Sequence, residues 1–129
     1  MDTPVTGTPR VLLRIEGLVV LVAAIAAYSA LGASWVLFAA LVLVPDIGLL
    51  GYLAGPRVGA TVYNAVHTYL APGMLGAVAW VARQPHLWPV CLIWMAHIGL
   101  DRMIGFGLKY SAAFHLTHLG SVGRIAPTA

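Results

Sequence analysis

Apolar and polar positions alternate on a coarse scale along this chain, in long blocks separated by short punctuation. Uninterrupted apolar character predicts four helices, over about residues 11–31, 34–54, 58–81 and 87–108. Each block is near the ~20 residues needed to cross a hydrocarbon core about 30 Å thick. The links are Gly32-Ala33, Gly55-Pro56-Arg57 and Ala82 to His86. Links that short make consecutive helices antiparallel neighbours. The expected fold class is therefore all-α: a polytopic bundle of four transmembrane helices forming one domain over residues 1–129. The last stretch, YSAAFHLTHLGSVGRIAPTA, is too short and polar to span again. Its AAFHLTHL segment suggests a short interfacial helix before Gly120, with Phe114 and Leu116 toward lipid or protein.

Composition agrees with this pattern. Of 129 residues, 60% are hydrophobic and 9% charged, against roughly 25% charged in soluble domains. The start of the chain, Arg10 and Arg14 before GLVVLVAAIAA, imitates a signal peptide and is read here as the first membrane helix. Arg10, Arg14, Arg57, Lys109 and Arg124 fall on one side of the expected bundle and Arg83 on the other. The positive-inside rule then places both termini in the cytoplasm. Trp35, Trp80 and Trp88 lie toward the opposite interface, as an aromatic belt would. The basic residues are scattered without aromatic interleaving, so nucleic acid is not an expected partner. Membrane lipids are, and so is a second copy of the chain through the small face of Ala23, Ala24, Ala26, Ala27 and Ala30. Cys91 is the single cysteine, which excludes an intrachain disulfide and a thiolate cluster.

The polar residues inside the apolar blocks carry the candidate chemistry. Three of the four acids, Glu16, Asp46 and Asp101, sit within spans. Counting about 1.5 Å per residue from the basic end gives depths of roughly 6–8 Å for Glu16, 12 Å for Asp46 and 9–11 Å for Asp101. On the same scale Asn64 lies at roughly 9 Å, His67 at roughly 13 Å and His97 at roughly 15 Å. Every span thus brings a polar group to one third of the membrane. Asn64 and His67 are three apart, and His97 and Asp101 four apart, so each pair shares a helix face. Pro45 removes a backbone bond beside Asp46 and should kink span two.

Imidazole and carboxylate together suit a divalent ion such as zinc, manganese or iron. Asp46, His67, His97 and Asp101 are the candidate ligands. Glu16 and Asp101 are candidate acid–base groups, and Asn64 and Tyr52 candidate supports. Arg57, Arg102 and Lys109 are placed to hold an anionic head group. His115 and His118 could fold back toward the site from the tail. The competing readings are a conduction path in a transporter or proton-relay subunit, and a polar network serving packing in a structural or partner-binding subunit. In that last reading Glu16 would pair with Arg14 or Arg57, and Asp101 with Arg14 or Arg102.

Two resemblances bear on these residues. The runs RIEGL, PDIGLLGYLAGPRVGATVYNAVHTYLAPG, HIGLDRMIGFGLKY and HLTHLG resemble a family of small bacterial integral membrane proteins, the domain of unknown function 4260. That likeness implies a four-helix protein of the bacterial inner membrane with no assigned activity. Pro45-Asp46, the segment around His67 and HIGLD are similar to motifs of small membrane-bound metal-dependent hydrolases. Those carry PDxD, a histidine-rich THS-like segment and an HxxxD helix. This second likeness implies a hydrolase of a lipid-derived or phosphoester substrate with Asp46, His67, His97 and Asp101 on the metal. Gly48 replaces the second aspartate of PDxD, and Tyr69 stands where the serine would be.

The orientation is testable on its own. A reporter fused after Ala129 should read as cytoplasmic and one inserted at Gln84 as external; the reverse would place the polar third on the outside.

Overall fold

The structure, a computed structural model, describes residues 4–109 and 116–121. In it α1 runs over Gly7–Leu31 and stops at Gly32, whose φ of 68° is the left-handed turn a glycine makes without strain. Ser34 caps the start of α2, Trp35–Leu41, by accepting from the Leu37 amide. The Tyr28 hydroxyl donates to the Ser34 carbonyl, and the Tyr28, Trp35 and Phe38 rings pack together around this turn.

Span two does not remain α-helical. Beyond Leu43 the chain tightens into a 3-10 helix, Val44–Ala54. Pro45 at its first turn has no amide to donate, and the Asp46 amide bonds Leu43 in an i→i+3 pattern. A period of three sorts this segment into faces. Val44, Ile47, Leu50 and Leu53 are exposed. Gly48 and Gly51 lie close against Val66 and Val62 of the next helix. Asp46, Leu49 and Tyr52 make up the third face, with the Tyr52 ring across Gly59.

The expected third span is broken. α3 covers Pro56–His67 and α4 covers Leu70–Val81, separated by an extended Thr68 (φ −94°, ψ 144°). Pro72 is the cause: in a continuous helix its ring would clash with the carbonyl four residues earlier, that of Thr68. Neither half, at 12 residues and about 18 Å, crosses a bilayer alone. Among the described residues, the helices long and apolar enough to do so are three, Gly7–Leu31, Trp35–Ala54 and Pro85–Ile104, which points to a membrane protein.

A short 3-10 turn at Pro85–Leu87 leads into α5, Trp88–Ile104. The fourth span was expected to reach residue 108. It ends at Gly105, where φ of 98° and amide bonds from Gly105 and Phe106 back to the Arg102 and Asp101 carbonyls close the helix. α1 and α5 form the main packed pair and run antiparallel. A Cβ on Gly99 would lie 2.8 Å from the Gly17 carbonyl oxygen, and one on Gly17 would lie 2.7 Å from the Met103 amide nitrogen. The small-residue contact therefore works as close approach of two backbones. Ile93, Ile98, Tyr28 and Leu119 are fully buried, while large apolar side chains of α1, the 3-10 helix and α4 stand exposed. So much outward apolar surface suits hydrocarbon, not water.

The interfacial helix expected around residues 112–119 is corrected in part. Leu116–Thr117 (β1) pairs antiparallel with Gly120–Ser121 (β2), turning at His118 and Leu119; residues 112–115 lie outside the described segments. The hairpin docks on the bundle. His118 donates its amide to Leu108 and its carbonyl accepts from Val5.

Gly99→Ala should lower the melting temperature in detergent, with a cost of about 1–3 kcal/mol from overpacking. Gly73→Ala, where a Cβ meets nothing within 4 Å, should not. Equal melting of the two variants would refute the close crossing.

Candidate metal centre

The four candidate ligands converge although they come from three different elements. Asp46 leaves the 3-10 helix, His67 is the last residue of α3, and His97 and Asp101 share one face of α5. Both histidines are buried, Asp101 is largely covered, and the Asp46 side chain is 42% exposed. His67 Nε2 lies 3.1 Å from His97 Nε2, 3.2 Å from Asp46 Oδ1 and 3.5 Å from Asp101 Oδ2. His97 Nε2 lies 3.2 Å from Asp46 Oδ1 and 3.3 Å from Asp101 Oδ2. These four residues form a buried group able to hold a metal ion.

The protonation of the rings is fixed by what lies behind them. His67 Nδ1 is 2.9 Å from the Tyr63 carbonyl oxygen, and His97 Nδ1 is 2.5 Å from that of Val42. A carbonyl only accepts, so each Nδ1 carries the proton and donates. Each neutral ring then turns a lone pair inward from Nε2. Four electron-rich atoms face one another, and without an added proton or cation no hydrogen bond within the group can satisfy them. Protonating both rings would set two cationic nitrogens 3.1 Å apart. One divalent ion satisfies all four. A tetrahedron with bonds of about 2.0–2.1 Å has edges of about 3.3–3.4 Å, close to the separations of 3.1–3.5 Å that involve the two imidazoles. The backbone carbonyls behind the rings supply the outer support that metal-bound histidines ordinarily have.

α5 positions more than its own two ligands. Its Trp94 Nε1 donates to the Val66 carbonyl at 2.7 Å, and the Arg102 guanidinium donates to the His67 carbonyl at 3.0 Å. These carbonyls end α3 at the break and have no helical partner. Arg102 is buried, with its guanidinium also over the Tyr69 ring. It holds the broken helix and does not stand open at a mouth. The Tyr63 ring stacks on His67 at 3.7 Å between centroids and an interplanar angle of 10°. Sequence reasoning passed over Trp94 and Tyr63, although each lies about one turn before a candidate histidine on the same helix.

Asn64 clamps the strand beyond α5: its Nδ2 donates to the Lys109 carbonyl at 2.8 Å, and its Oδ1 accepts from the Lys109 amide at 2.6 Å. This brings Lys109 over the Tyr63 ring, 4.5 Å from ammonium to centroid. Burial pushes that ammonium below the usual lysine range, while Asp101 and then Asp46 draw it back up. A polar cavity of about 200 Å³ lies against the carboxylates, lined by Asp46, Leu49, Tyr63, Asp101, Phe106 and Lys109. A separate apolar groove of about 380 Å³ is lined in part by Val44, Pro45, Ile47, Val66, Ile93 and Trp94.

The other sequence candidates lie elsewhere. Glu16 is exposed on α1, outside the group of four. Arg14 donates to the Met103 carbonyl at the end of α5. Arg57 is exposed at the opposite end of α3 from His67. His118 accepts at Nδ1 from the Leu108 amide, and burial followed by the charge of Arg102 lowers its pKa. It tethers the hairpin and is not among the four converging residues. His115 lies outside the described residues.

A model of one family, a domain of unknown function (DUF4260), matches residues 10–122. The chain belongs to that family. The four converging residues, Arg102 and Lys109 all lie within the matched region. No curated protein and no solved structure matches the chain.

Arg102→Met should destabilise the protein by about 1–3 kcal/mol, the cost of a buried acceptor left unpaired. Arg57→Met should leave thermal unfolding within about 0.5 kcal/mol of wild type. If both melt alike, the break at His67 does not depend on Arg102.

Proposed function

We propose that this protein is a membrane-embedded divalent-metal protein whose ligands are Asp46, His67, His97 and Asp101. We propose further that the centre serves metal-assisted hydrolysis of a lipid-derived or phosphoester substrate. The observation that carries the metal reading is the pair of Nε2 atoms at 3.1 Å, both of whose rings donate their Nδ1 proton to a backbone carbonyl. A divalent ion so held would lower the pKa of a bound water and polarise a phosphoryl or carbonyl oxygen. Zinc, manganese and iron all suit the donor set.

The chain's own residues divide the remaining work. The two imidazoles, fixed from behind, keep the donor geometry. Asp46 and Asp101 both line the cavity, and Asp46 is the more exposed of the two and so the ligand beside which a water or substrate can enter. The carboxylate oxygens of Asp46 and Asp101 that face away from the imidazoles are proton acceptors on that side. Glu16, nominated by its sequence position as an acid–base group, is exposed on α1; the carboxylates lining the cavity are better placed for that role.

Elemental analysis of the detergent-purified protein tests the metal reading. Wild type should carry about one equivalent of a divalent ion, and His97→Ala should carry little. Adding the metal to stripped protein should raise the melting temperature of wild type and scarcely move His97→Ala, since ligand-linked stabilisation requires binding to the folded state. Metal-free wild type whose melting is unchanged by zinc, manganese or iron would sink the reading. Hydrolysis is tested separately, by release of product from phospholipid and aryl phosphate esters that depends on the metal and on Asp101.

A further inference from the structure

Resting on the metal reading above, we infer that the polar cavity beside the centre binds an oxyanion, phosphate or phosphate monoester in class, with Lys109 as its counter-charge. The argument begins with charge. Two carboxylates, two neutral imidazoles and a divalent ion sum to zero. Arg102 is held against the α3 carbonyl and the Tyr69 ring. Among the described residues lining the cavity, Lys109 is then the one cationic group. Its side chain is 4% exposed, so its charge is directed at the cavity and the Tyr63 face and is weakly screened. An ammonium in such a place favours an anionic guest.

Position supports the same conclusion. The two bonds to Asn64 fix the Lys109 backbone at the edge of the cavity, and its ammonium lies over the Tyr63 ring that also lines it. The Asp46 and Asp101 carboxylates line the same cavity, and a carboxylate pair would repel an anion unless their charge were already neutralised. The cavity is therefore inhospitable to an oxyanion in the stripped protein and receptive in the metal-loaded one. Phosphate oxygens are hard donors that a divalent ion and an ammonium both favour. At about 200 Å³ the cavity suits a small head group.

The test uses full-length protein in uncharged detergent, with inorganic phosphate and dodecyl phosphate as probes and chloride at equal ionic strength as control. Metal-loaded wild type should bind dodecyl phosphate and melt at a higher temperature with it; stripped wild type should respond far less. Lys109→Gln should weaken binding at least about tenfold, or about 1.4 kcal/mol, with metal content unchanged. Lys109→Arg should retain most of the binding. Equal affinity for inorganic phosphate and dodecyl phosphate identifies a free anion as the guest, and much tighter dodecyl phosphate identifies a lipid head group. Metal-loaded wild type that binds neither probe, or Lys109→Gln that binds as wild type does, overturns the anion site and leaves the metal centre standing. Metal-free wild type overturns both.

Discussion

A helix that breaks beside a buried site leaves carbonyl groups without a helical partner, and the centre depends on how those of α3 are answered. Left unpaired in hydrocarbon, each would cost several kcal/mol. Trp94 and Arg102 reach across from α5 to the Val66 and His67 carbonyls. Between those two donors on the same helix stand His97 and Asp101. One stripe of α5 thus stabilises the broken end and meets the imidazole that the broken end presents. The break is what allows His67 to face inward: as the last residue of α3 it turns its ring under Tyr63 and its Nδ1 to the Tyr63 carbonyl. The α1–α5 crossing at Gly17 and Gly99 in turn sets α5 in place. A Cβ at either glycine would move the stripe that carries the ligands.

The 3-10 segment is the second irregular element at the site, and its tighter period has a structural consequence. With three residues per turn, the Val44 face meets the outside, the glycine face meets α3 and the Asp46 face meets the cavity. An α-helix over the same residues would smear these sets around its circumference, since 3.6 does not return Asp46, Leu49 and Tyr52 to one line. A 3-10 run of this length is uncommon because its hydrogen bonds are poorer. Here the small residues Gly48 and Gly51 let α3 pack closely along it, which compensates for weaker backbone geometry.

Much of this was legible in the sequence. Three of the four apolar blocks correspond to helices long and apolar enough to cross a membrane, and shared depth picked out Asp46, His67, His97 and Asp101, which the structure brings together. The broken third span was missed although its signal, Pro72, was in plain view, because block hydropathy does not register a missing amide or a ring–carbonyl clash. The i, i+3 repeat of VPDIGLLGYL was likewise present and hidden by its uniform apolarity. Glu16 shared the estimated depth but not the direction, since depth fixes position along a helix and leaves rotation about its axis open. Arg102 could be read only as a charge near Asp101; its partner is a main-chain carbonyl 35 positions away, which no side-chain pattern reveals. The hairpin at His118 depends on backbone bonds to Val5 and Leu108, equally invisible to composition.

The centre therefore sits where the fold is least able to rely on its own helices. Asp46 lies just inside a 3-10 helix, His67 at the end of a broken α-helix, and only His97 and Asp101 on a regular one. Regular membrane helices keep their backbone satisfied internally and assemble by packing; irregular ones need a partner that fixes both position and polarity. A divalent ion at the meeting point would do both. It would link residues 46, 67 and 97–101, neutralise two carboxylates and give four inward-facing lone pairs a shared acceptor. Protons would answer the lone pairs only in twos, by bridging an imidazole and a carboxylate, whereas one cation would join all three elements at a single point. The geometry that brings these four residues together is in this way the same geometry that would make a bound cation part of the fold.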